Sequence, residues 1–273
     1  VNRRTFLAAL GALPLVTPPV AASERLGRIG LQLYTVRAAM ASDLEATLAR
    51  VAAIGYREVE FAGFFGRRPT ALRRALADEG LRAPSAHVPF EELGRDWERI
   101  VADAGERGLE WIVAAWIPEE QRGGPDAWRR IADRLNSAGR IARAAGLRLA
   151  YHNHSYEFVR VRGALPYDLL LGHTDPSLVE LEMDVFWLRR GGGDPLAYFA
   201  RWPGRFPLLH LKDMDGTAER RMVDVGRGVI PWAAVLHQRR LAGVRHVFVE
   251  HDEAADPLAS ARASYAYLRR LRF

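Results

Sequence analysis

From residue 28 to the C-terminus, short apolar runs alternate with longer segments of helical character, and eight runs of this kind can be counted. They cover residues 29–34, 58–61, 83–87, 111–115, 147–152, 179–184, 208–212 and 246–250. Each is followed by helix-start chemistry, as at Ser42-Asp43 before LEATLARVAAIG, at Pro125-Asp126 and at Asp194-Pro195. Several helical segments stop at a glycine just before the next run, at Gly55, Gly80, Gly108, Gly146 and Gly243. Strands separated by helices must pair in parallel, because each helix carries the chain back across the sheet. Eight such units, with no linker-like composition between them, predict a single α/β domain over residues 28–273, a (β/α)8 TIM barrel. A doubly wound sheet would need a glycine-rich phosphate turn after the first strand. Gln32-Leu33-Tyr34-Thr35-Val36-Arg37 stands there instead, and GxGxxG is absent.

The first residues have a different character. VNRRTFLAALGALPLVTPPVAAS has a basic start, an apolar stretch over residues 6–16 and small residues at Val20-Ala21-Ala22. This is the layout of an export signal over residues 1–22, and Arg3-Arg4-x-Phe6-Leu7 resembles the twin-arginine type. The apolar stretch is too short to span a bilayer. The expectation is cleavage near Ala22 and an exported or periplasmic protein with no stable membrane insertion afterwards.

Composition then narrows the chemistry. Cysteine is absent, which excludes disulfides, thiolate metal sites and thiol nucleophiles. Lys212 is the only lysine among 39 basic residues, so a GxxxxGK[ST] phosphate loop is impossible and any Schiff base would use Lys212. The net charge of +6 raises the question of nucleic acid, but the arginines are interspersed with Asp and Glu, as over residues 95–107. They read as solvated helix faces, and no nucleic-acid partner is expected. No GxSxG elbow points to a serine hydrolase.

A barrel builds its active face from strand C-terminal ends and the loops after them. Those places carry Gln32 and Tyr34, Glu58 and Glu60, His87, then His152, Asn153, His154 and Glu157 in YHNHSYEF. They continue with Asp184, with His210, Lys212 and Asp213 in HLKDM, and with Glu250, His251 and Asp252. Asp184, His210 and Glu250 occupy equivalent positions on successive strands. Carboxylate and imidazole donors without thiolates suit a divalent ion, Mn²⁺, Mg²⁺, Co²⁺ or Zn²⁺. Glu182 and His246 read as satisfied structural residues.

YHNH followed by EF, the Asp184 strand end, HLKD, VEHD, GGGDP at 191–195 and VGRGVIPW at 225–232 together resemble the xylose isomerase-like barrel superfamily, in particular its sugar phosphate isomerase/epimerase-like members. The resemblance covers essentially residues 28–273. It implies one divalent ion, Mn²⁺ first, held by a Glu, Asp, His, Glu set. It also implies an isomerase or epimerase that transfers a proton at a carbon next to a sugar carbonyl, through an enediolate stabilised by the metal. Carried over, Asp184, His210 and Glu250 are ligands. Glu157 completes the set, with His152 or His154 as the alternative, because His152 stands where many members have Glu.

His152, His154, Glu157 and Glu250 are candidates for proton transfer. Lys212, two residues after His210 and so on the same side of the strand, is a candidate oxyanion stabiliser; a lysine is compact and more readily deprotonated than a guanidinium. Trp116, Phe186 and Trp187 are candidate pocket walls, with core packing an equal reading for Phe186. Gly226-Arg227-Gly228 reads as a turn, or else as a lid bringing Arg227 to the substrate. The expected partner is a small sugar or keto-sugar, and a homo-oligomer is left open. The alternatives are a lyase or hydratase on a keto-sugar or 3-keto-glycoside, a metal-dependent phosphodiesterase, and a non-catalytic sugar-binding barrel.

Overall fold

The computed structural model of the protein describes residues 23–94 and 96–273, so the expected export signal lies outside the described residues. Eight parallel strands close into a barrel. They are β1 (Gly30–Gln32), β2 (Glu58–Phe61), β3 (Arg82–Val88), β4 (Trp111–Ala114), β5 (Arg148–His152), β6 (Val179–Asp184), β7 (Leu208–Leu211) and, after a small antiparallel hairpin of β8 (Asp213–Met214) and β9 (Met222–Val223), β10 (His246–Val249). The closed order is β1-β10-β7-β6-β5-β4-β3-β2, and every barrel contact is parallel. This is the expected single TIM barrel. The hairpin was not signalled, because two-residue strands carry no readable periodicity.

The helix signals work as local chemistry requires. The Asp43 carboxylate accepts the N–H of Ala46 at 2.9 Å and starts the helix Leu44–Ile54, and Asp194 accepts the N–H of Leu196 ahead of Pro195–Arg201. The longest helix, Pro125–Ala144, buries Trp128, Ile131, Leu135, Ala138 and Ala142, a spacing of three and four that lays one stripe on the sheet. Among the described residues no helix is long and apolar enough to cross a membrane.

The barrel interior is layered. At its lower end Glu58 accepts from Arg82 (2.7 Å) and pairs with His246 (2.7 Å), while Glu180 accepts from Trp111 (2.7 Å) and Arg148 (2.5 Å). His246 is thus structural, as read. Above it lies an apolar layer of Trp111, Val113, Ala150, Leu208 and Phe248. Gly30 makes room for that layer, since a Cβ there would sit 2.4 Å from the Phe248 ring. With the lower end plugged and the middle filled, inward side chains at the upper end face a cavity.

Candidate active site

Register sets the upper layer. Gln32 pairs with Glu60, His152 with Glu182, and Asp184 with His210 across neighbouring strands. Strand alternation turns these residues inward together. Glu60, Glu182, Asp184, His210, Lys212 and Glu250 are all buried.

Two overlapping groups result. In the first, Asp184, His210 and Glu250 bring ligand atoms within 4.8 Å of one another, as do His87, His152, Glu182 and His210 in the second. His210 belongs to both: its Nδ1 lies 2.7 Å from Glu250 Oε2, and its Nε2 lies 2.7 Å from Glu60 Oε1 and 3.2 Å from Glu182 Oε2. Glu182 Oε2 also meets His87 Nε2 at 2.7 Å and His152 Nδ1 at 2.9 Å, so three imidazoles share one oxygen. Glu182 therefore belongs to the site rather than to the structural background. Its signal was available, since it stands two residues before Asp184 on the same face of β6. Glu60 and His87 are legible in the sequence as strand-end residues, and the structure adds their partners.

Asp184 divides its carboxylate between two tasks. Oδ1 caps the helix Val185–Arg190 by accepting the N–H of Trp187 at 2.8 Å. Oδ2 is buried without a hydrogen bond, 3.2 Å from Lys212 Nζ and 3.8 Å from His152 Nε2. Asn153 locks the position: its Nδ2 donates to the Asp184 carbonyl (3.2 Å) and its Oδ1 accepts the Asp184 N–H (3.1 Å).

Lys212 Nζ sits among Asp184, Glu250 (2.8 Å) and Asp252 (2.9 Å). Burial opposes its charge, but the three carboxylates prevail and hold the ammonium protonated, its pKa well above the usual lysine value. The sequence expectation of an easily deprotonated lysine is corrected on this ground. Burial likewise opposes protonation of His87, and Glu60 with Glu182 overcomes it, raising that imidazole to about 9. Asp252 is pushed up to about 7, first by burial and then by Glu250. His154 goes the other way, down to about 3, through burial and then Lys212, so it is a neutral imidazole. Its Nδ1 is buried and has no hydrogen-bond partner among the described residues.

Glu157 is the main departure from expectation. It lies on the 3-10 turn Tyr156–Phe158, and its carboxylate accepts from Tyr151 Oη at 2.5 Å and from the His154 N–H at 2.9 Å. Tyr151 alternates with the inward His152 and packs in the main core outside the barrel, and Glu157 follows it there. The structure does not bring Glu157 to either group, and burial pushes its carboxyl up to about 8. On the strand-five side His152 stands in the group instead.

A cavity of about 630 Å³ opens over the site, lined by His87, His152, His154, Lys212, Glu250 and Asp252, with Trp187, Trp116 and Tyr34 among its walls. Phe186 is in the core. Arg227 is exposed and pairs with Asp224 at 3.6 Å, and its loop is a pinned turn rather than a lid. Asp213 accepts the N–H groups of Gly226 (2.8 Å) and Ile230 (3.2 Å) and the Trp232 indole N–H (2.9 Å). Gly228 passes so close that a Cβ would lie 2.3 Å from Asp213 Oδ1.

The donor set tests well for a divalent cation. Five carboxylates, of Glu60, Glu182, Asp184, Glu250 and Asp252, converge with Lys212 and the imidazoles of His87, His152 and His210; among the described residues Glu60 Oε2 and Glu182 Oε1 are buried without hydrogen-bond donors, and Asp184 Oδ2 faces only Lys212 Nζ at 3.2 Å and His152 Nε2 at 3.8 Å. Such acceptors lose hydration without compensation unless a cation meets them. Oxygen and imidazole nitrogen donors suit the borderline and hard divalent ions.

An eight-stranded barrel with carboxylates and histidines gathered at its upper end defines a class, and the chain belongs to the family described as xylose isomerase-like TIM barrel, which matches residues 48–271. Among individual relatives, it is 26% identical over 190 residues to a Clostridium beijerinckii protein named inosose dehydratase, covering 62% of this chain and 63% of that protein. It is 28% identical over 188 residues to the Salmonella typhimurium inosose dehydratase, covering 61% of this chain and 62% of that protein. The matches thus span less than two thirds of these relatives' length. The crystal structure of a sugar phosphate isomerase/epimerase from Parabacteroides distasonis superposes with a TM-score of 0.80 at 25% identity, over 94% of this chain and 98% of that one.

Proposed function

We propose that this protein is a lyase that removes a proton next to the carbonyl of a cyclic keto-polyol or keto-sugar and expels the hydroxyl β to that carbonyl as water. The observation that carries it is the meeting of the Asp184, His210 and Glu250 ligand atoms with a fixed ammonium, Lys212, and a neutral imidazole, His154, around one cavity. A divalent ion held by Asp184, His210 and Glu250, with His152 adjacent, would polarise the carbonyl as a Lewis acid; Mn²⁺ is our first assignment.

The chain's own groups do the rest. His154, a neutral imidazole on the cavity wall, is the group we assign to accept the proton. Lys212, anchored by Asp184, Glu250 and Asp252, donates a hydrogen bond to oxygen as negative charge develops there. Asp252, on the cavity wall beside Lys212, is placed to protonate the departing hydroxyl. In the balance, a C–H and a C–O bond break, a C=C bond forms, and proton and hydroxide leave as water. The inosose dehydratase relatives support elimination. The Parabacteroides structure supports a second reading, isomerisation or epimerisation, in which the same proton returns to carbon.

The test is proton NMR in D₂O with an inosose and a panel of keto-sugars, on protein whose metal content has been measured. Loss of a hydroxyl with a new alkene or enol signal is the expected result. Deuterium entering an otherwise intact sugar replaces the lyase by the isomerase, and neither change with metal-loaded protein overturns both.

A further inference from the structure

The mouth of the barrel is chemically two-sided. The ends of β5, β7 and β10 supply His152, His154, Lys212, Glu250 and Asp252 to the cavity. Around the ends of β1 to β4, above the inward His87, the wall is apolar and aromatic: Ala62, Val88, Pro89, Ala115, Tyr34 and Trp116, with Glu91 beside them. Tyr34 and Trp116 remain 41% and 48% exposed, although large aromatic side chains gain most from burial.

Both rings are held by neighbours, Tyr34 by Arg37 and Trp116 by Arg122 and, edge to face with ring centres 4.8 Å apart, by His154. The Arg37 guanidinium lies 4.0 Å over the Tyr34 ring and donates to the Tyr34 carbonyl at 2.8 Å. The Arg122 guanidinium lies 4.3 Å from the Trp116 ring centre and 3.5 Å from that of Tyr156, and it donates to the Ile117 carbonyl at 2.7 Å. A ring fixed in this way has surrendered much of its freedom before any ligand arrives, so covering its remaining surface costs little entropy. Apolar aromatic surface left open in a concave wall is the ordinary mark of a ligand site. The chemistry that fits two aromatic surfaces and one carboxylate acceptor is a sugar ring, whose C–H face stacks while its hydroxyls donate.

We infer that the β1–β4 side of the mouth is a second sugar subsite, and that the substrate is a two-ring glycoside: one ring carries the ketone over the Asp184, His210 and Glu250 group, and the other, a neutral hexose, lies against Tyr34 and Trp116. The inference rests on the proposed reading of the first ring as a keto-sugar.

Equilibrium titration of the full chain, followed by calorimetry and tryptophan fluorescence, tests this with cellobiose, maltose and trehalose against glucose. At least one disaccharide should bind roughly tenfold tighter than glucose, about what one stacked ring contributes. That ratio should shrink toward one in Tyr34→Ala and in Trp116→Ala, both confirmed folded by circular dichroism. Equal binding of one and two rings, binding of neither, or a ratio unchanged in both variants overturns the subsite. Because binding is read without turnover, a preserved two-ring preference in a protein that neither eliminates nor exchanges protons overturns the reaction alone. Elimination from an inosose with no two-ring preference overturns the subsite alone.

Discussion

Asp184 Oδ2 lies 3.2 Å from Lys212 Nζ while its partner oxygen, Oδ1, caps a helix through the Trp187 N–H. One carboxylate thus joins a structural contact to the charged centre of the site, and the two roles separate by substitution. Asn caps helices as well as Asp does but carries no charge. Asp184→Asn should keep the unfolding midpoint of chelator-treated protein close to wild type while metal stoichiometry collapses and activity falls by at least about 100-fold, beyond what loss of an outer-shell partner costs. Asp184→Ala should lose the cap as well, at a further cost of about 1 kcal/mol in urea unfolding.

Among the described residues, Lys212 Nζ alone pairs with all three of Asp184, Glu250 and Asp252. Replacing it by methionine leaves buried carboxylates facing one another, and losing one partner of a buried ion network costs about 3–5 kcal/mol. In Lys212→Met the chelator-treated protein should unfold well below wild type. Added Mn²⁺ or Zn²⁺ should raise its melting temperature by more than it raises wild type, because a cation binding the folded state restores the missing charge. An equal shift in both proteins would remove the competition between the ammonium and a metal for these oxygens.

These two residues were readable from the sequence because strand ends are marked by pattern. Apolar runs punctuated by Asp-capped helix starts located all eight barrel strands to within two residues at each end, and position on the strand then placed Asp184, His210 and Glu250 in one layer. Glu157 was misplaced because it lies past the strand end, where alternation no longer applies and a 3-10 turn decides direction. Glu182 is not legible as a site residue by type alone, because a strand glutamate looks the same in sequence whether it meets a solvated arginine, as Glu180 meets Arg148, or three imidazoles. Only closure of the barrel brings His87 from β3 across to it.

The location of Glu157 has a pH signature. Its carboxyl is raised from 4.5 to about 8 by burial, so protonation favours the folded state. The contribution is fully present below about pH 4.5 and is lost as pH rises through about 8, with an amplitude on the order of a few kcal/mol. Wild type should therefore lose urea stability between pH 5 and pH 9. Glu157→Gln, which has no proton to lose, should lose distinctly less over the same range while retaining wild-type metal stoichiometry. A metal content that falls in Glu157→Gln would return Glu157 to the ligand set.

Asn153 offers the sharpest separation of positioning from bulk stability. Its side-chain amide pairs in both directions with the Asp184 backbone, tying the end of β5 to the end of β6 at the point where Asp184 turns toward Lys212. Asn153→Asp keeps the size and the acceptor but can no longer donate to the Asp184 carbonyl, and it adds a carboxylate to a buried, already acidic region. Asn153→Ala removes both bonds without adding charge. Unsatisfied buried backbone groups cost about 1–3 kcal/mol, so both variants should unfold earlier than wild type. If the amide also aims Asp184, metal affinity measured by titration well below the melting temperature should fall about 10- to 100-fold, as for other outer-shell partners. It should fall further in Asn153→Ala than in a destabilised control at the barrel's lower end, such as His246→Gln, which breaks the Glu58 pair far from the site. Equal metal affinity in the two variants would make Asn153 a clamp for the strands and nothing more.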